Sequence, residues 1–162
     1  MNPEDKKPKQ KRSISGSVKW VIPQVRRTAL VVDDEKKVRN MYRRFLVTED
    51  FDVLEAENGE QACSVMVQKE KVDLVLLDIR MPVVGGAGLF GFIRHRHPES
   101  KVIVSSVYPT DDQRLMIQGA DGYFDKSDGI DVLLSKIRTV LPSEENPPDG
   151  SETGGKRKRG GR

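Results

Sequence analysis

Between residues 28 and 141, short apolar runs alternate five times with longer stretches of helical period. Thr28-Ala-Leu-Val-Val and Leu74-Val-Leu-Leu are the clearest runs. Four or five such residues in succession, bounded by polar positions, predict strands buried on both faces, as in a parallel sheet. Shorter runs predict further strands at 51–55, 102–105 and 123–125. In the first intervening stretch Val38, Met41, Phe45 and Leu46 fall at i, i+3, i+7 and i+8, which predicts a helix buried along that stripe. The second helix buries Ala62, Val65 and Met66, and Asn58 with Gln61 three residues later forms a capping box at its start. Gly85-Gly86 precede a third helix carrying Leu89, Phe92 and Ile93 on one face. Gly88 and Gly91 inside it cost about 1 kcal/mol each relative to Ala, which predicts a short or frayed helix. The fourth helix, 111–118, has a poor apolar stripe and should be loosely held. The last, 130–141, is strongly amphipathic through Ile130, Leu133, Leu134, Ile137 and Val140.

Strands alternating with helices imply an α/β domain, a doubly wound parallel sheet covered on both faces. The flanks read differently. Residues 1–27 are rich in Lys, Pro, Ser and Gln without a lasting period, and 142–162 are rich in Pro and Gly. Both are expected to be disordered arms around a domain at 28–141. Trp20-Val21-Ile22 is the exception, suited to pinning the arm on the domain or to serving as a docking motif.

Charge sharpens that division. Residues 1–27 hold eight Lys or Arg against two Asp or Glu, residues 28–140 fifteen against nineteen, and residues 141–162 five against four. The net +3 of the 162-residue chain therefore combines an acidic domain with basic ends. Nonspecific, salt-sensitive contact of those ends with nucleic acid or an anionic surface is one expectation, a solvated tail at Lys156–Arg159 the plainer one. The longest apolar runs are too short to span a membrane, the first residues lack a secretory apolar stretch, and Cys63 is the single cysteine. Together these predict a soluble, cytoplasmic protein.

Candidate chemistry sits at the ends of the strands. Asp33 and Asp34 close the first and Asp78 closes the third. In a parallel sheet the carboxyl ends of strands converge on one crevice. Acids brought together there repel one another unless a cation relieves them, and hard oxygen ligands suit Mg²⁺.

Four motifs extend this cluster: Val32-Asp33-Asp34-Glu35, Leu77-Asp78-Ile-Arg-Met-Pro82, Ser106 after Val-Ile-Val-Ser, and Tyr123-Phe-Asp-Lys126. In this order they resemble the receiver domain of two-component response regulators, over about residues 28–141. The resemblance implies a flavodoxin-like (βα)5 fold with strand order 2-1-3-4-5. It makes Asp78 the acceptor of a phosphoryl group from a phosphohistidine on a sensor histidine kinase or a histidine phosphotransfer protein. Mg²⁺ would be held by Asp33, Asp34, Asp78, the backbone carbonyl of Arg80, and water. Lys126 would add a second positive charge, and Ser106 a hydroxyl for a phosphoryl oxygen. A one-residue shift in the fourth strand would exchange Ser106 with Ser105. Tyr123 would rotate inward once Ser106 is drawn over. The face made by the fourth helix, the fifth strand and the last helix would meet an effector, with Arg114, Tyr123 and Lys136 as contacts. Arg80 and Tyr108 stand where family members tune dephosphorylation.

Such a protein turns over no external substrate. With no output domain in the sequence, the expectation is a single-domain regulator that relays the phosphoryl group or docks on a separate effector. Two rivals are a pseudo-receiver acting as a constitutive scaffold and a receiver whose basic arms tether it to nucleic acid or membrane. Val107, where the family usually has a smaller residue, and Ser127, where Pro is common, lean toward the scaffold. A trans peptide is expected before Ser127, because a cis bond there would cost about 2.5–4 kcal/mol. His95 and His97, two apart on a helix, do not share a face and read as solvated C-terminal charge rather than a metal site. Cys63 reads as packing.

Overall fold

Val-, Leu- and Ile-rich runs can be shielded on both faces only when helices cover both sides of a sheet, and this is the arrangement found. The computed structural model describes residues 26–82 and 84–142. Its elements are β1 (Arg27–Val32), α1 (Lys36–Thr48), β2 (Phe51–Ala56), α2 (Gly59–Gln68) and β3 (Leu74–Leu77). They continue as α3 (Gly86–Arg96), β4 (Lys101–Ser106), α4 (Thr110–Met116), β5 (Gly122–Asp125) and α5 (Ile130–Val140). All neighbouring strands pair in parallel, in the order β2-β1-β3-β4-β5. This is the flavodoxin-like order. Trp20-Val21-Ile22 and most of both basic ends lie outside the described residues.

Alternation along the strands sorts the core into two layers. Leu30, Val32, Val75, Leu77, Val102 and Val104 face Ala62 and Met66 of α2 and Leu89 and Ile93 of α3. Ala29, Val31, Leu74, Leu76 and Ile103 face Tyr42 and Leu46 of α1 and Leu133 and Ile137 of α5. Burying a side chain of this size stabilises by roughly 1.5–3 kcal/mol, so the two layers supply most of the driving force.

Three local expectations need correction. Met41 was assigned to the buried stripe of α1 but is 51% exposed; the buried residues are Arg39, Tyr42 and Leu46. Leu46 is buried as expected and Val38 and Phe45 pack partly buried against the same core, so the buried face is shifted by about one residue toward Arg39 and Tyr42, whose polar tips find partners inside. α3 is neither short nor frayed: it runs eleven residues through Gly88 and Gly91, anchored by fully buried Leu89 and Ile93. In α2 Asn58 Oδ1 does accept from Gln61 N at 2.9 Å, but Gln61 Oε1 returns to the N–H of Glu57 at 2.7 Å rather than to that of Asn58.

The far end of the sheet is tied by ions and caps. The Arg27 guanidinium donates to the carbonyls of Leu141 and Pro142 at 2.9 and 2.7 Å, satisfying acceptors at the end of α5. Asp121 receives Arg94 at 2.6 Å, Lys101 at 3.1 Å and the N–H of Val102 at 2.9 Å. Among the described residues no helix is long and apolar enough to cross a membrane.

Candidate functional site

The chain leaves β1 to build β2 on one side and returns to place β3 on the other, so a crevice opens at the carboxyl ends of β1 and β3. The register pairs Val32 with Leu77, and the N–H of Asp78 donates to the carbonyl of Val32 at 2.9 Å. Asp33 and Asp78, the next residue on each strand, therefore sit side by side. Glycine brings the following turn close: a Cβ on Gly86 would lie 2.6 Å from the carbonyl oxygen of Asp78 and 2.8 Å from Cα of Ile79. Only a residue without a side chain lets α3 begin against the backbone that carries Asp78.

Asp33, Asp34 and Asp78 bring one carboxylate oxygen each to within 4.8 Å of one another. Asp33 and Asp78 are buried and Asp34 is exposed. Lys126, just past β5, sends its ammonium between the two buried acids, 2.7 Å from Asp33 Oδ2 and 3.2 Å from Asp78 Oδ2. The cluster thus draws positive charge to itself. Its hard oxygens, with two buried acids and one exposed, are a donor set that fits Mg²⁺. The residues lining the crevice, about 230 Å³, are Asp34, Glu35, Asp78, Arg80, Val107 and Lys126.

Burial, the largest influence on Asp78, pushes its pKa up; the ammonium of Lys126 opposes this, and Asp33 adds to it. A backbone hydrogen bond from Arg80 also reaches the Asp78 carboxylate. For Lys126 burial pulls downward, but hydrogen bonding to Asp33 and the charges of Asp78 and Asp33 outweigh it, and its pKa is raised. The ammonium is therefore charged throughout the neutral range.

The loop carrying Asp33 and Asp34 is held from below. Arg39 of α1 donates to the carbonyl of Asp33 at 2.7 Å and of Asp34 at 3.2 Å, and its Nε lies 3.6 Å from Glu55 of β2. Asp33 Oδ1 accepts the N–H of Glu35 at 2.9 Å, which turns the chain into α1. Beside it, the hydroxyls of Tyr42 and Ser105 share a buried 2.9 Å hydrogen bond across to β4. Burial raises the Tyr42 pKa above its ordinary value, so this hydroxyl stays protonated.

Ser105 and Ser106 are thereby distinguished. Ser105 is engaged with α1, whereas Ser106 Oγ is fully buried and has no partner among the described residues. The Ser106 carbonyl accepts the N–H of Lys126 at 2.8 Å, linking the end of β4 to the lysine. Tyr123 is buried under α4, its hydroxyl donating to the carbonyl of Ile117 at 2.7 Å, with the Arg114 guanidinium 4.8 Å from its ring centre. Lys136 of α5 is half-buried. At the mouth, Arg80 lies 5.9 Å from the ring centre of Tyr108, and Val107 is 61% exposed. Among the described residues no peptide is cis, so Ser127 follows Lys126 through a trans bond. Its N–H and Oγ both donate to Asp125 Oδ1, at 2.8 and 2.7 Å, closing the turn without proline.

Of the residues singled out at strand ends, Asp33, Asp34, Asp78 and Lys126 gather at this crevice, and Ser106 is joined to it through its carbonyl on the N–H of Lys126. Arg39, Tyr42 and Gln113 were missed. Arg39 and Tyr42 lie on the second i, i+3, i+7 stripe of α1, which was open to notice. Gln113, alone and polar on a weakly patterned helix, gave no such signal.

Comparison with known proteins agrees with this geometry. The family model described as the response regulator receiver domain matches residues 29–138. Among sequences, the chain is 35% identical to response regulator GacA of Pseudomonas aeruginosa, covering 71% of this chain and 55% of that protein. It is 29% identical to the transcriptional regulatory protein CpxR of Escherichia coli, covering 76% and 56%. The chain thus spans about half the length of these curated relatives. Among solved structures, response regulator protein TrrA from Thermotoga maritima, in complex with Mg²⁺-BeF, is 35% identical with a TM-score of 0.65, covering 71% of this chain and 99% of that one. A receiver domain protein from Methanospirillum hungatei is 25% identical at the same TM-score, covering 71% and 93%.

Proposed function

From the premise that this chain belongs to the response regulator receiver domain family, we propose that it is a Mg²⁺-dependent phosphoryl acceptor that switches protein contacts. Asp78 is the nucleophile. Its carboxylate oxygen bonds to the phosphorus of a phosphohistidine on a sensor histidine kinase or histidine phosphotransfer protein. The phosphorus–nitrogen bond breaks, and its electron pair stays on the imidazole, which takes up a proton. The observation that carries this reading is the buried Asp33–Lys126–Asp78 arrangement, with an ammonium 3.2 Å from the proposed nucleophile. A carboxylate can accept a phosphoryl group only when the charge on both is offset, and preorganised cations do that without reorganisation.

Each remaining residue takes a role from its place. Asp78 is placed to attack by its position beside the Lys126 ammonium in the lining of the crevice. Lys126 neutralises phosphoryl charge. Asp33, Asp34, Asp78 and the backbone carbonyl of Arg80 would hold Mg²⁺, which supplies further charge neutralisation on the phosphoryl oxygens. Ser106 is a ready donor, since its hydroxyl has no hydrogen-bond partner among the described residues. Tyr123 and Arg114 connect that change to the face of α4, β5 and α5, where an effector would dock. The cytoplasm, where kinase and effector are met, is the compartment this reading requires.

The scaffold reading draws on Val107 and Ser127, yet Ser127 only closes the turn on Asp125, and Val107 lines the crevice without displacing any of its charged groups. Fluorine NMR tests the proposal. Beryllofluoride should give bound resonances only with Mg²⁺ present and none in Asp78→Asn; binding that survives this substitution would refute it.

A further inference from the structure

We propose that Gln113 is the positioning residue that couples Ser106 to α4, so that capture of the Ser106 hydroxyl displaces the helix. The inference rests on the reading of Asp78 as phosphoryl acceptor and adds a residue through which that event leaves the site.

Gln113 is the one buried residue of α4, and it is fully buried. Its Nε2 lies 2.6 Å from the carbonyl oxygen of Tyr108, 2.9 Å from that of Phe124 and 3.4 Å from that of Ser106. A carboxamide nitrogen has two hydrogens, so the two short contacts use both and the Ser106 carbonyl is a weaker third. One side chain therefore spans the end of β4, the loop after it, and β5 between Tyr123 and Asp125.

Two buried side-chain atoms without a partner among the described residues are Ser106 Oγ and Gln113 Oε1. Both belong to this junction. A buried polar atom left bare is unfavourable, so a partner for either one is a favourable contribution to the state that supplies it. A phosphoryl oxygen on Asp78 offers Ser106 that partner. Movement of Ser106 toward it carries the Ser106 and Tyr108 carbonyls along. The amide forked beneath them must then follow or redistribute its hydrogens.

The helix follows because no other side chain of Thr110–Met116 is buried, its far end being held by Ile117, buried in the core just beyond. Leu115 and Met116 are exposed, and Gln113 itself bonds through its N–H to the carbonyl of Pro109 and through its carbonyl to the N–H of Ile117. A shift at Gln113 is thus a shift of the helix backbone. The Ile117 carbonyl in turn accepts the Tyr123 hydroxyl, so the ring on the proposed effector face feels the same movement.

Hydrogen exchange at residues 110–117 of the full chain, with and without Mg²⁺ and beryllofluoride, tests this. In the wild-type chain the additives should change exchange there by about 5-fold or more, the low end of coupling between sites. Gln113→Met should still bind beryllofluoride but lose that response, and Gln113→Met with Ser106→Ala should lose no more than either alone. A full response in Gln113→Met, or losses that multiply in the double variant, would overturn the proposal. The wild-type chain supplies a reading free of any folding defect. Its Gln113 side-chain amide resonances should shift on beryllofluoride binding, and unmoved resonances count against the coupling. Failure of beryllofluoride to bind wild-type protein would remove the acceptor reading itself, and this inference with it.

Discussion

Two helices flank the crevice and are fastened to the sheet in opposite ways. α1 runs thirteen residues and buries Arg39, Tyr42 and Leu46, with the polar tips of the first two bonded to the Asp33 backbone and to Ser105. α4 runs seven residues, buries Gln113 alone, and leaves Leu115 76% exposed. Around α1 the buried polar tips of Arg39, Tyr42 and Ser105 have partners; beside α4, Ser106 Oγ and Gln113 Oε1 have none among the described residues. The difference separates two tasks. Acids that must neutralise charge need fixed positions, which satisfied hydrogen bonds and apolar packing supply. A responding element needs the reverse, because inverting a 1:99 population to 99:1 takes about 5.5 kcal/mol of differential interaction. One charge-assisted hydrogen bond gives about 1.5–3 kcal/mol, so a helix held by little is one that a single hydroxyl, with metal and partner, can help to move.

The contrast breaks most sharply at Lys126. In Lys126→Ala, Asp33 and Asp78 keep their burial but lose the ammonium between them. Urea unfolding without Mg²⁺ should show a loss of about 3–5 kcal/mol, the cost of orphaning buried charges, with part restored by Mg²⁺. Phosphoryl uptake from acetyl phosphate should slow by about 10²–10³-fold, the scale of removing one preorganised group. Paired truncations test the two helices directly. Leu46→Ala on α1 should cost about 2–5 kcal/mol, and Leu115→Ala on α4 less than about 0.5 kcal/mol. Equal losses in urea titrations would abolish the distinction between a fixed and a yielding side.

Smaller effects refine it. Tyr42→Phe leaves the Ser105 hydroxyl buried without a partner and should lower stability by about 1–3 kcal/mol. The smallest effect is in acid, away from the crevice. Burial pushes the Asp121 pKa up, but Arg94, the N–H of Val102 and Lys101 outweigh it and hold the group below its ordinary 3.8. The folded pKa being the lower one, the unfolded chain binds this proton first. The stabilisation is therefore complete above the ordinary value and is lost as pH falls through the folded one. Unfolding midpoints below about pH 4 should fall less steeply in Asp121→Asn than in the wild-type chain.

Much of the sheet was open to reading from sequence because strands such as Leu74–Leu77 are buried on both faces, and nothing polar interrupts them. Strand order came from the resemblance carried by Asp33, Asp34, Asp78 and Lys126, since local pattern says nothing about which strands pair. The gathering of these residues at one crevice follows from their shared position just past strand ends. What escaped depends on partners distant in sequence. Met41 and Tyr42 are adjacent candidates for the buried face of α1, and the choice is made by Ser105, sixty-three residues away. Gln113 reads as a surface residue until the carbonyls of Tyr108 and Phe124 close over it. Gly86 shows its purpose only once the carbonyl of Asp78 is seen where a side chain would stand.

Intact mass after incubation with acetyl phosphate, with and without Mg²⁺, tests the central claim most directly. One added phosphoryl group on the wild-type chain, absent without Mg²⁺ and absent in Asp78→Asn, is the predicted result. An adduct that persists in Asp78→Asn, or none on wild-type protein that also fails to bind beryllofluoride with Mg²⁺, would contradict the assignment of Asp78 as the acceptor.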